Sequence, residues 1–82
     1  SAYENMERDA NGNAVSAGNV MAFDSSKNII NIKNEKLVVL QGLENYIVID
    51  TGDVLLICER SKEQEIKEFV SQIKIAKGDK YL

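Results

Sequence analysis

Eighty-two residues, 44% hydrophobic and 28% charged, suit one small globular domain and exclude an intrinsically disordered chain. The net charge of −3 and a pI near 4.9 leave no basic footprint for nucleic acid or an anionic membrane surface. With no histidine and one cysteine, the common zinc sets, His-based catalysis and an internal disulfide are excluded.

In chain order, Ser1 to Asn19 ("SAYENMERDANGNAVSAGN") is polar and rich in Asn, Gly, Ala and Ser. Ala2 to Arg8 suits a short helix, and "DANGNAVSAG" reads as loop, because Asn-Gly tolerates positive φ and no apolar period survives there. The first residue is not methionine, which points to a processed chain or a piece of a longer one.

From Val20 the pattern changes. "VMAF", "NIINI", "KLVVL", "YIVID" and "VLLIC" are short runs rich in β-branched residues, about eight to ten positions apart and divided by turn-forming stretches. They predict an all-β unit. The density of Val, Ile and Leu in the last two runs implies burial on both faces. Short strands with tight corners also fit one or two coils of a β-solenoid, although no clean hexapeptide repeat is visible. Cys58 lies in the last run and reads as a buried small hydrophobe in a reducing compartment.

The end of the chain predicts a closing helix over about 61–77. Ser61 suits the N-cap, and Gln64 completes a capping box. Ile66, Phe69, Val70 and Ile73 form one apolar stripe that should pack on the strands. Gly78 suits the position just past the helix end. "DKYL" is a tail.

The motifs with chemical potential are few. Asp50-Thr51-Gly52 matches the tripeptide around an aspartic-protease carboxylate, but that chemistry needs two carboxylates sharing a proton. The competing reading, a turn between strands with Asp50 capping the corner, is far stronger. "DANGNAVS" and "DSSKN" resemble calcium loops, yet one has Val20 at the twelfth position and the other, ending at Glu35, lacks the central glycine. Gly18 and Gly42 build no phosphate-cradling loop. Lys27, Lys33 and Lys36 are interrupted by Glu35 and Asn, and Tyr3, Tyr46 and Tyr81 are too scattered for a stacking platform. These residues supply no catalytic, cofactor-binding or metal-binding constellation.

The order of segments carries more information than any one motif. "RDANGNAVSAGNVMAFDSSKNIINI" followed by "KLVVLQGLENYIVIDTGDVLLICERSKEQEIKEFVSQI" is similar to the C-terminal part of mannose-1-phosphate guanylyltransferases. The matching positions include Asp9, Gly12, Asn13, Gly18 to Val20, Asp24, Ser25, Asn28, Gly42, Leu43, Val48 to Thr51, Leu55 to Ile57, Arg60 and Gln64 to Lys67. Val54 departs from the family's usual Ala. The resemblance implies a cytoplasmic enzyme making GDP-mannose and diphosphate from GTP and mannose 1-phosphate. It implies that residues 1–19 link to a catalytic domain, and that residues 20–82 form a non-catalytic module resembling a short left-handed β-helix. Such a module packs on the catalytic domain or on a second subunit. The family's Gly-rich triphosphate motif and Mg²⁺-holding acids match nothing in these residues, so the resemblance assigns no catalytic residue here. An independent β-rich protein-interaction module is the alternative.

Overall fold

All five β-branched runs become strands. The computed structural model describes residues 8–81, in the order β1 (Ala14–Ala17), β2 (Asn19–Phe23), β3 (Ile29–Ile32), β4 (Leu37–Gln41), β5 (Tyr46–Asp50) and β6 (Leu55–Glu59). A 3₁₀ segment, Arg60–Glu65, leads into α1 (Ile66–Lys77).

The chain winds as a solenoid. β1, β3 and β5 stack in parallel, with Ala14, Ile29 and Ile47 in one row. β2 and β4 stack in parallel as a second side, with Val20 beside Val38 and Ala22 beside Leu40. A third side is reduced to one parallel bridge, Ser26 to Glu44. Asn28 lies 15 residues after Asn13 and 18 before Tyr46, its partners on the neighbouring coils. These unequal coils hide the repeat from sequence inspection.

The apolar centre lies between the two sheets. Ile30, Ile32, Leu40 and Val48 are buried together, and Val20, Ala22, Val38 and Leu43 pack against them. Each such side chain contributes about 1.5–3 kcal/mol on burial. Gly18 makes the corner between β1 and β2 at φ +114°, where an added Cβ would stand 2.6 Å from the Ile32 Cβ. Only glycine lets the wall approach so closely.

β6 ends the winding. It reverses and pairs antiparallel with β5, so Ile47 faces Cys58 and Val48 faces Ile57. Burial on both faces holds for β5, with Ile47, Val48 and Asp50 all buried. It fails for β6, where Leu55 and Ile57 are 61% and 54% exposed. They share the face of Asp50 and Val48, but sheet β2–β4 offers no further strand to lie across from them.

Two further expectations are corrected. β1 falls in the segment expected as loop; its small residues carry a weak strand signal, and parallel pairing with β3 supplies the ladder. The closing helix is entered differently: the expected span opens with the 3₁₀ segment, and α1 itself starts only at Ile66. Ser61 lies inside the 3₁₀ segment, and neither the segment nor α1 has a side-chain cap. Arg60 fixes this entry: its backbone N–H donates to Asn45 O (2.8 Å) and its guanidinium to Lys27 O (2.9 Å). Gly78 takes φ +75° and donates its N–H to Lys74 O, closing the helix as expected. The expected helix at Ala2–Arg8 lies outside the described residues except for Arg8, which bridges to Ala14.

Candidate interaction surface

The tripeptide resolves as a turn. Asp50 ends β5, and its Oδ1 accepts the Gly52 N–H at 2.8 Å, while Thr51 N–H donates to Val54 O at 3.0 Å. The second oxygen, Oδ2, forms an ion pair with the Lys36 ammonium. Both oxygens are committed. The Lys36 hydrogen bond, then the Gly52 N–H, outweigh burial and hold the carboxyl below its ordinary value. A carboxylate so stabilised in its charged form is the reverse of a proton-sharing dyad.

The other candidates are structural as well. Asp9 organises its own loop: Oδ1 accepts from the Asn11 and Asn13 backbones, and Oδ2 from Asn13 Nδ2. Burial pushes that carboxyl up, but the bonds from Asn13, Asn11 and Gly12 prevail and hold its pKa down. Among the described residues no three His, Cys, Asp or Glu side chains converge. Cys58 is buried; burial first, then the carboxylates of Glu65, Glu59 and Glu63, push its thiol up, away from the reactive thiolate. Tyr3 lies outside the described residues, and Lys80 sits over the Tyr81 ring. Among the described residues no helix is long and apolar enough to cross a membrane.

What the sequence did not single out is a face. β2 and β4 place Val20, Ala22, Val38 and Leu40 inward, so their alternate residues point out. Those alternates include Met21, Phe23, Leu37 and Val39, each about half exposed. Met21 and Val39 stand directly opposite one another, with Leu37 and Phe23 diagonal to them. β4 is also an edge: among the described residues it pairs only with β2, and "LVVLQ" contains no charge or proline to discourage pairing. Leu55 and Ile57 add apolar surface at the open end of the solenoid. Adjacent exposed apolar residues of this kind make the face a candidate interaction surface. The alternation was hidden because both faces of "VMAF" and "LVVL" are apolar.

Parallel coils around one apolar axis, closed by a reversed strand and a helix, define a short β-solenoid module whose distinguishing surface is an apolar face rather than a polar cleft. Residues 18–73 match the family described as the MannoseP isomerase/GMP-like β-helix domain, and the chain belongs to it. It is 40% identical over 70 residues to the xanthan biosynthesis protein XanB of Xanthomonas campestris pv. campestris, covering 85% of this chain and 14% of that protein. The alginate biosynthesis protein AlgA of Pseudomonas putida is 40% identical over 73 residues, covering 89% of this chain and 15% of the relative. The mannose-1-phosphate guanylyltransferase of Klebsiella pneumoniae is 32% identical over 79 residues, covering 96% and 16%. The chain thus spans about one-seventh of the length of the curated relatives it matches. A crystal structure of a mannose-1-phosphate geranyltransferase from Thermus thermophilus shares the fold, with TM-score 0.71, 22% identity, and coverage of 82% of this chain and 20% of that one.

Proposed function

We propose that this module is the non-catalytic β-helix domain of a mannose-1-phosphate guanylyltransferase, which makes GDP-mannose and diphosphate from GTP and mannose 1-phosphate in the cytoplasm. Its role is to pack, through the outer face of β2–β4, on the nucleotidyltransferase domain or on a second subunit. The carrying observation is the half-exposed cluster of Met21, Phe23, Leu37 and Val39 in a chain that matches only about one-seventh of its relatives. Such a cluster stays soluble when covered. On this reading Mg²⁺ and the phosphates bind in the nucleotidyltransferase portion. Residues 1–19 contribute the connection to that portion, with β1 already built into the solenoid.

The test is an assay of the whole reading frame that encodes this chain, for GDP-mannose formed from GTP and mannose 1-phosphate with Mg²⁺. The product is expected, and Met21→Lys with Val39→Lys should lower the melting temperature of the assembled protein while leaving this module folded. A frame with no nucleotidyl transfer sinks the enzymatic reading. An active frame indifferent to both substitutions sinks the docking role of the face.

A further inference from the structure

The two walls of the solenoid end at different heights. β1 and β3 each turn a corner into sheet β2–β4, but β5 turns back at Asp50-Thr51-Gly52 and pairs with β6 instead. One wall therefore has four strands, β1-β3-β5-β6, and the wall across from it has two. At about 4.8 Å between strands, the first overhangs β4 by about 10 Å. Leu55 and Ile57 lie on that overhang, cross-strand partners of Asp50 and Val48, on the face that Val48 turns to the core. Val48 is buried, whereas Leu55 and Ile57 are more than half exposed. α1 does not cover them, because the groove beneath it is lined by Ile49 and Leu56, on the other face of the hairpin.

Below the overhang runs the edge of β4. Its five residues pair with β2 in unbroken register, from Leu37 beside Asn19 to Gln41 beside Phe23. The N–H and C=O groups on its other side therefore form a regular row. "LVVLQ" has none of the charge, proline or bulge that discourages strand addition. An extended segment laid along β4 gains main-chain hydrogen bonds, and its alternate side chains cover Leu55 and Ile57. Those are the two sources of affinity and specificity in β-augmentation.

The same geometry selects the occupant. A second copy of the solenoid does not fit, because β2 and β4 each have β1 or β3 alongside in the same coil. That accompanying strand would enter the space of β5 and β6. A single extended segment meets no such obstacle. The chain spans about one-seventh of the relatives it matches, so on the functional reading above most of the protein lies outside these 82 residues. A tethered segment reaches its site at an effective concentration on the order of millimolar.

We propose that β4 takes up one extended strand, apolar at alternate positions, from this protein's own chain outside residues 1–82. The added strand lengthens the shorter wall and covers Leu55 and Ile57. The donor rests on the reading that the module belongs to a longer nucleotidyltransferase; the open edge and the overhang do not.

The experiment is hydrogen exchange on the whole protein, read on the peptide Leu37–Gln41 with Ile29–Ile32 as the internal reference. In a bare edge strand the amides that point away from β2 exchange fast. Slow exchange is expected throughout Leu37–Gln41, unchanged on dilution, together with one protected segment outside residues 1–82. Leu55→Lys with Ile57→Lys places charges under the added strand, and Leu55→Thr weakens the same contact more gently. Whichever variant keeps Ile29–Ile32 protected should speed exchange in Leu37–Gln41 at least about tenfold, a loss of about 1.4 kcal/mol. Fast exchange of the outward amides in the parent, exchange indifferent to these substitutions, or protection lost on dilution overturns the proposal. GDP-mannose synthesis is assayed separately. An active protein with a fast-exchanging edge sinks the strand addition alone, and a protected edge without nucleotidyl transfer upholds it while sinking the functional reading.

Discussion

Asn28 occupies, one coil further on, the place of Asn13, and the two side chains interlock. Asn13 Oδ1 accepts both the backbone N–H and the Nδ2 of Asn28, each at 3.0 Å. Asn28 Oδ1 in turn accepts the Tyr46 N–H at 2.8 Å, and its Nδ2 also donates to Leu43 O at 2.9 Å. Both side chains are buried. This amide ladder satisfies backbone groups at the start of β3 and β5, where the strand ladder has not yet begun.

Asn28→Ala removes that ladder at its centre. Tyr46 N–H loses its acceptor and Asn13 Oδ1 one of its donors, so the variant should lose roughly 2–4 kcal/mol. Asn31→Ala is the control, since its bond to Ser16 Oγ is exposed, and it should stay within about 1 kcal/mol. Urea unfolding of the two variants checks the difference; equal midpoints would deny the ladder a structural role.

Gly18 and Gly42 separate two meanings of glycine. Both have positive φ, but an added Cβ at Gly18 meets Ile32 whereas at Gly42 it meets nothing within 4 Å. Gly18→Ala combines backbone strain with overpacking and should cost about 2–5 kcal/mol. Gly42→Ala meets strain alone and should cost roughly 1–2 kcal/mol. Thermal melts that rank them the other way would contradict the close corner.

The same residues show how far the sequence could be read. Runs such as "YIVID" declare themselves through β-branching, and β2 to β6 appear within a residue or so of expectation. "AVSA" does not, since only one of its residues is β-branched and its strand exists through pairing with Ile29 to Asn31. The capping box was a valid local signal overridden by tertiary contacts, because Arg60 is bound to the Asn45 and Lys27 carbonyls before Ser61 is reached. The turn at Asp50 was legible; its partner Lys36, fourteen positions earlier, was not, because that pairing depends on the coil closing. The outer face of β2–β4 was hidden for a related reason: only the winding decides which alternate residues point inward.

Phe69 tests how firmly the helix is held. Its ring is half-buried in the groove beneath α1, so Phe69→Ala should cost about 2 kcal/mol, below the roughly 3–5 kcal/mol typical of a buried ring. Lys67→Ala and Glu68→Ala, on exposed positions, should each stay within about 0.5 kcal/mol. Circular dichroism melts will distinguish these. A Phe69→Ala protein that melts with the parent would show that the stripe contributes nothing to this chain alone.

The Lys36–Asp50 pair sets an acid dependence whose sign is fixed by geometry. The Lys36 hydrogen bond leads, the Gly52 N–H follows, and burial opposes them without prevailing, so the folded Asp50 titrates below its ordinary value of 3.8. A depressed folded pKa gives stability that is fully present above the unfolded value and disappears as pH falls through the folded one. Melting temperature should therefore hold steady down to about pH 5 and fall towards pH 2, with Asp50 contributing part of the fall. Lys36→Met removes the leading cause, so Asp50 should protonate at higher pH and the fall should begin earlier. Asp50→Asn keeps an acceptor for Gly52 and removes the titration. Its curve should be flatter in acid though lower at neutral pH, and peptidase assays of parent and variant should both stay at background. If parent and Lys36→Met trace parallel curves through this range, the pair contributes nothing to stability. If pepstatin-sensitive cleavage appears in the parent and vanishes with Asn at position 50, the tripeptide is more than a turn.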